Sequence, residues 1–83
     1  MTVDISLVKH ALATLSTMAG RSLPETTLAS EIEIRAGRPL TVDQVRETLS
    51  FCREEGWVDR RRDDFKRDVW CITEAGINKH RSM

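Results

Sequence analysis

Apolar positions along the chain follow a helical period three times and then change to a strand period. Between Asp4 and Ala19, Ile5, Val8, Leu12 and Leu15 recur at steps of three and four, with Leu7, Ala11 and Met18 in a second stripe beside them. A helix over about 4–19 with a wide buried arc is predicted, closed by Gly20. Arg21-Ser22-Leu23 reads as short and extended, because a residue before proline is pushed away from helical geometry. Pro24 suits the first turn of a second helix, where its missing N–H costs nothing, and Glu25 favours the positive helix end. Leu28, Ala29, Ile32 and Ala36 supply the apolar face, so this helix is predicted over about 24–36, ended by Gly37 and Pro39. Thr41-x-x-Gln44 is a capping-box pattern. Val42, Val45, Leu49 and Cys52, with Phe51 beside them, predict a third helix over about 42–55 that stops at Gly56.

Beyond Gly56, Trp57-Val58-Asp59-Arg60-Arg61 and Val69-Trp70-Cys71-Ile72 are rich in strand formers. They predict strands over about 57–61 and 69–72, joined as a hairpin across Arg62 to Asp68. Thr73-Glu74 restarts a short C-terminal helix over about 74–79, followed by a frayed tail from His80 to Met83. The expected fold class is α+β: a three-helix bundle with a C-terminal β-hairpin, one domain over residues 1–83.

Size narrows the functions this pattern can serve. With 83 residues, 40% of them hydrophobic, the chain closes one small core and has little room for a deep substrate pocket. No apolar run approaches the roughly 18 residues of a membrane span. Met1-Thr2-Val3-Asp4-Ile5 shows no basic segment leading into an apolar one, so no secretory leader is expected and a cytoplasmic location follows by default. Cys52 and Cys71 form no C-x-x-C pair, and no histidine stands at zinc-finger spacing. They read as small apolar core residues in a reducing compartment, with a disulfide left open and no metal or cofactor implied. Neither His10 nor His80 has a nucleophile or carboxylate at a spacing that suggests a triad, so no enzymatic activity is expected.

The order of elements, together with Val45-x-x-x-Leu49-x-x-Cys52-x-x-x-Gly56-Trp57-Val58 and the later Ile72-Thr73-x-x-Gly76, resembles the winged helix-turn-helix superfamily of DNA-binding domains, of bacterial or phage type. Ile72 stands where members of that superfamily often carry leucine. The resemblance covers most of the chain, to about Ile77. It implies that the third helix reads DNA and that the hairpin is a wing. One departure is that Ile32 and Val45 lie farther apart than in compact members, so the second helix or the turn after it must be longer.

Charge locates the candidate chemistry. Lys plus Arg and Asp plus Glu each count 13, so any nucleic-acid field must be local. Arg60, Arg61, Arg62, Lys66 and Arg67 cluster in the hairpin, opposed within that run only by Asp63 and Asp64. If these cations touch phosphate, binding weakens with salt at a slope of about −0.9 per contact. A hairpin whose arginines and aspartates pair with each other is the competing reading. Phe65 at the tip either stacks on a base or groove, or folds back onto the core. Trp57 and Trp70 read as cross-strand core residues.

With Val45, Leu49 and Cys52 inward, the third helix turns Asp43, Gln44, Arg46, Glu47, Ser50 and Arg53 outward or to its flanks. Arg46 forks onto guanine and Gln44 onto adenine, while Thr41 and the helix N-terminus offer donors to a phosphate. The DNA-binding candidates are therefore Thr41, Gln44, Arg46, Ser50, Arg53, Arg60, Arg61, Arg62, Lys66 and Arg67. Asp43 and Glu47 oppose a phosphate partner unless they read a cytosine amino group. The expected partner is double-stranded DNA, for a small transcriptional regulator or a phage or mobile-element accessory protein. The alternative is a protein-interaction module without DNA binding, favoured by the zero net charge and by Asp43, Glu47, Glu54 and Glu55 on the reading helix. A homodimer through the apolar arc of the first helix is a further open partner, and no membrane partner is expected.

Overall fold

Asp4 opens the first helix by local chemistry. Its carboxylate accepts from the Ser6 hydroxyl at 2.6 Å and the Ser6 N–H at 2.9 Å, and these bonds hold its pKa below the ordinary value. The computed structural model describes residues 3–83. Met1 and Thr2, the start of the stretch read for a leader, lie outside the described residues. The elements run α1 (Ile5–Thr17), β1 (Leu23–Pro24), α2 (Glu25–Ala36), α3 (Val42–Glu54), β2 (Val58–Arg62), β3 (Asp68–Ile72) and α4 (Glu74–Ser82).

The core joins the inward stripes of three helices to the sheet. Leu7, Val8, Ala11, Leu12 and Leu15 of α1 meet Leu28 and Ile32 of α2, Val45, Leu49 and Cys52 of α3, Val58 of β2 and Trp70 of β3. Ile5 and Val42, placed on these stripes by their spacing, are instead 60% and 62% exposed. Each is the first residue of its helix, one turn short of the packed region. The long separation of Ile32 from Val45 is absorbed by a last turn of α2 and an anchored connection. Gly37 leaves the helix in left-handed geometry at φ 71°, and the Glu33 carboxylate accepts from the Leu40 N–H at 3.1 Å.

The expected three-helix bundle with a C-terminal hairpin is overturned in two respects. The sheet has three strands in the order β1-β3-β2, because Leu23 and Pro24 pair with Trp70 and Val69. Pro24 thus ends an edge strand and precedes α2; on an edge its missing N–H breaks no ladder. The hairpin is also not terminal. It is followed by the helix expected over about 74–79, which makes a fourth helix packed against α1 and runs on to Ser82, so His80 to Ser82 are helical, contrary to the expected fraying.

The seat of α4 explains the Ile72-Thr73-x-x-Gly76 stretch. Thr73 caps the helix by accepting from the Gly76 N–H at 3.0 Å, donates its hydroxyl to the Gly56 carbonyl at 2.6 Å, and sends its own N–H to the Trp57 carbonyl at 3.0 Å. The first turn of α4 is thereby pressed onto the α3–β2 junction. A Cβ on Gly76 would lie 2.0 Å from the Trp57 carbonyl oxygen, which leaves room for glycine alone. Trp57 is gripped from two other sides, by the edge of Phe51 with centroids 5.8 Å apart and by the Lys79 ammonium 5.3 Å from its ring centroid.

Candidate nucleic-acid interface

Two surfaces meet at the site: the outer face of α3 and the face of the hairpin that looks toward it. On α3 the cap fixes the first turn. Thr41 Oγ1 accepts from the Gln44 N–H at 3.1 Å, and Gln44 Oε1 accepts from the Thr41 N–H at 2.9 Å. Gln44 therefore spends its amide oxygen inside the helix start, and a fork onto adenine would require breaking the cap. Arg46, Ser50 and Arg53 follow at helical spacing, all exposed.

Register sets the other wall. Across the antiparallel β2–β3 pair, Val58 faces Ile72, Arg60 faces Trp70 and Arg62 faces Asp68, and these three pairs share one side of the sheet. Asp59 with Cys71, and Arg61 with Val69, take the other side. Since Val58 and Trp70 are core residues, Arg60 lies on the α3 side of the sheet.

Between the walls lies an open groove of about 580 Å³, lined by Glu25, Arg46, Ser50, Arg53, Glu54, Arg60, Asp68 and Trp70. Four predicted residues, Arg46, Ser50, Arg53 and Arg60, are thus brought together. Thr41, Gln44, Arg61, Lys66 and Arg67 lie outside it, and Arg62 reaches its edge through Asp68. Arg46 pairs with Glu25 at 3.6 Å and Asp68 with Arg62 at 3.8 Å. Among the described residues, Arg53 and Arg60 make no ion pair. The Trp70 indole N–H, buried in the groove wall, has no hydrogen-bond partner. The groove therefore presents two guanidinium groups and the Ser50 hydroxyl as donors an anionic strand can use, beside one carboxylate, Glu54, that makes no ion pair among the described residues.

The wing is more neutral than its arginine run suggests. Its five cations stand against four carboxylates, because Asp59 and Asp68 flank the run as well as Asp63 and Asp64 within it. Arg61 pairs with Asp59 at 3.4 Å, Arg62 with Asp68, and Arg67 with Asp63 at 2.8 Å. The competing reading, in which wing charges pair with each other, thus describes three of the five cations and leaves out Arg60 and Lys66.

Asp63 builds the tip. One oxygen accepts from the N–H groups of Phe65 and Arg67, both at 2.9 Å, and the other from Arg67 Nε at 2.8 Å. These bonds, led by the Arg67 N–H, depress its pKa. The turn places Lys66 at φ 60°. Phe65 stays 79% exposed, with the Arg67 guanidinium 5.5 Å from its ring centroid, so it does not fold back onto the core. The organising role of Asp63 was missed from sequence, although an aspartate two residues before a turn amide is a recognisable Asx-turn signal. The Glu25–Arg46 contact had no sequence signal, since it joins two helices.

The remaining chemistry lies elsewhere. Cys52 is buried in the core, and burial pushes its thiol up to about 12, so it is an inert packing residue. Cys71 is half-buried, with Sγ 3.8 Å from the Asp59 carbonyl oxygen, and neither cysteine is in a disulfide. Among the described residues no group of three or more His, Cys, Asp or Glu side chains gathers as a metal site. No helix in that range is long and apolar enough to cross a membrane. The apolar arc of α1 is consumed by the core, leaving only Ile5 as a large exposed apolar side chain on that helix.

Neither a protein-family model nor a curated protein matches the chain. Solved structures do. RosR from H. salinarum superposes with a TM-score of 0.79 at 16% identity, over 92% of this chain and 66% of that one. A transcriptional regulator of the MarR family from Silicibacter pomeroyi gives 0.72 at 22% identity, over 93% and 49%. MepR, a transcription regulator of the Staphylococcus aureus multidrug efflux pump MepA, gives 0.76 at 20% identity, over 92% and 52%. The fold is that of a winged helix, and the chain spans about half to two thirds of these proteins.

Proposed function

We propose that the chain is a DNA-binding winged-helix domain of a transcriptional regulator, seating one phosphate strand of a duplex between α3 and the wing. The observation that carries this reading is the groove in which Arg53 of α3 and Arg60 of β2, both free of carboxylate partners, face a common open space. Arg46 lies in the N-terminal half of the same helix, where a helix laid in a major groove meets base edges, and Ser50 follows one turn on. Thr41 and the start of α3 face a neighbouring phosphate, and Lys66 at the wing tip reaches a further one. The resemblance to solved transcriptional regulators supports the same reading through the shared fold.

Fluorescence anisotropy of a labelled random-sequence duplex, titrated with salt, tests it. Binding that falls linearly on a log–log plot is expected. Arg53→Ala and Arg60→Ala should each reduce the slope by about 0.9 if each touches one phosphate. Absence of binding at low salt would overturn the reading. It would leave a protein-interaction module, which the acidic first turns of α3 (Asp43, Glu47) and the exposed Ile34 and Val42 favour.

A further inference from the structure

We propose that Asp59 and Asp68 hold two wing arginines in reserve and so weaken phosphate-driven binding to duplex DNA. This rests on the DNA-binding reading above. The geometry is specific: Asp59 engages Arg61 at 3.4 Å on one face of the hairpin, and Asp68 engages Arg62 at 3.8 Å across the strands on the other. Both arginines are well exposed, so nothing but the carboxylate restrains them. Each aspartate engages a guanidinium group that would otherwise be free to take a phosphate oxygen.

A phosphate can claim either arginine only by displacing its aspartate. The released carboxylate then sits beside the DNA and recruits a cation from solution. That uptake cancels part of the counterion release that drives non-specific association. Exposed pairs of this kind are worth about 0.2–1 kcal/mol, which corresponds to about 1.5- to 5-fold in affinity for each pair. The penalty is modest and applies to any duplex. A duplex that also contacts α3 and one offering phosphates alone both bear it. Because the penalty is common to all duplexes, the ratio between two sequences stays the same, and what falls is the phosphate-driven affinity itself.

Asp64 supplies the control. It is exposed on the same hairpin and forms no ion pair among the described residues, so Asp64→Asn removes the same charge without releasing an arginine. Asp63 is unsuitable, because it builds the turn.

The experiment measures anisotropy of a labelled random-sequence duplex against salt for the unaltered chain, Asp59→Asn, Asp68→Asn and Asp64→Asn, with circular dichroism melts to verify that each is folded. Asp59→Asn and Asp68→Asn should each tighten binding about 1.5- to 5-fold and steepen the salt slope by up to about 0.9. Asp64→Asn should change both less. Adding Arg61→Ala to Asp59→Asn, or Arg62→Ala to Asp68→Asn, should abolish the gain. Binding that appears only in the Asp59→Asn or Asp68→Asn variant also supports the inference. If the unaltered chain binds and these two variants match it, or if Asp64→Asn gains as much, the inference falls and the DNA-binding reading stands. If no variant retains duplex at low salt, both fall.

Discussion

At the scale of single residues, the tightest constraint is at Gly76 and not in the charged wing. Any side chain there meets the Trp57 carbonyl, which is itself tied to the Thr73 N–H. Gly76→Ala should destabilise the domain by about 1–3 kcal/mol, the usual cost of overpacking, read as a lower midpoint in urea unfolding. An unchanged midpoint would mean that α4 is not seated on the junction. Asp63 carries a second residue-level prediction. Its folded pKa is depressed, first by the Arg67 N–H, so its contribution is complete above the unfolded carboxylate value and is lost as pH falls through the folded one. In an NMR titration the amide resonances of Phe65 and Arg67 should move together below the ordinary aspartate range, while those of α3 stay fixed. Independent movement of the two amides would show that they do not share one carboxylate.

At the scale of elements, what periodicity could reach was decided by how local each interaction is. The steps Val8–Leu12–Leu15, Leu28–Ile32 and Val45–Leu49–Cys52 are buried stripes because a helix repeats within itself, and short windows suffice to see them. Their ends, Ile5 and Val42, were misjudged because burial there depends on where a neighbouring helix stops. β1 was legible only as the short extended stretch Arg21-Ser22-Leu23, and its place in the sheet was not: Leu23 and Pro24 join it by pairing with Trp70 and Val69, far along the chain. The groove was legible as a list of residues but not as a place. Arg60 shares a face with Trp70 through the register of β2 on β3, and the Arg62–Asp68 pair follows from the same register, whereas Arg61 and Asp59 stand two residues apart on one strand. By contrast, the Thr41-x-x-Gln44 box is wholly local, and both of its hydrogen bonds are made. Thr41→Ala should therefore cost about 1 kcal/mol in urea unfolding, with an unchanged dependence on denaturant. A negligible cost would mean that the Thr41 hydroxyl does not hold the start of α3 and that Gln44 Oε1, accepting from the backbone N–H of residue 41, does so alone.

At the scale of the whole molecule, a net charge of zero is compatible with a polyanionic partner only if opposite charges are kept apart or kept occupied. Around α3 and the wing this molecule does the second in part: carboxylates hold Arg46, Arg61, Arg62 and Arg67, while Arg53, Arg60 and Lys66 make no ion pair among the described residues and the first two of these face one groove. Affinity must then come from few contacts, which makes assembly state decisive. The expected route to a homodimer, the apolar arc of α1, is closed because Leu7, Val8, Ala11, Leu12 and Leu15 are spent in the core. The remaining large exposed apolar side chains on the helices, Ile5, Ile34 and Val42, belong to three different helices. Sedimentation equilibrium of this chain at tens of micromolar should return the mass of a single copy, and titration of a short duplex should saturate at one copy per independent site. A concentration-dependent rise toward twice that mass would place a self-association surface among those three residues. Asp substitution at Ile34 or Val42 would then restore the single-copy mass.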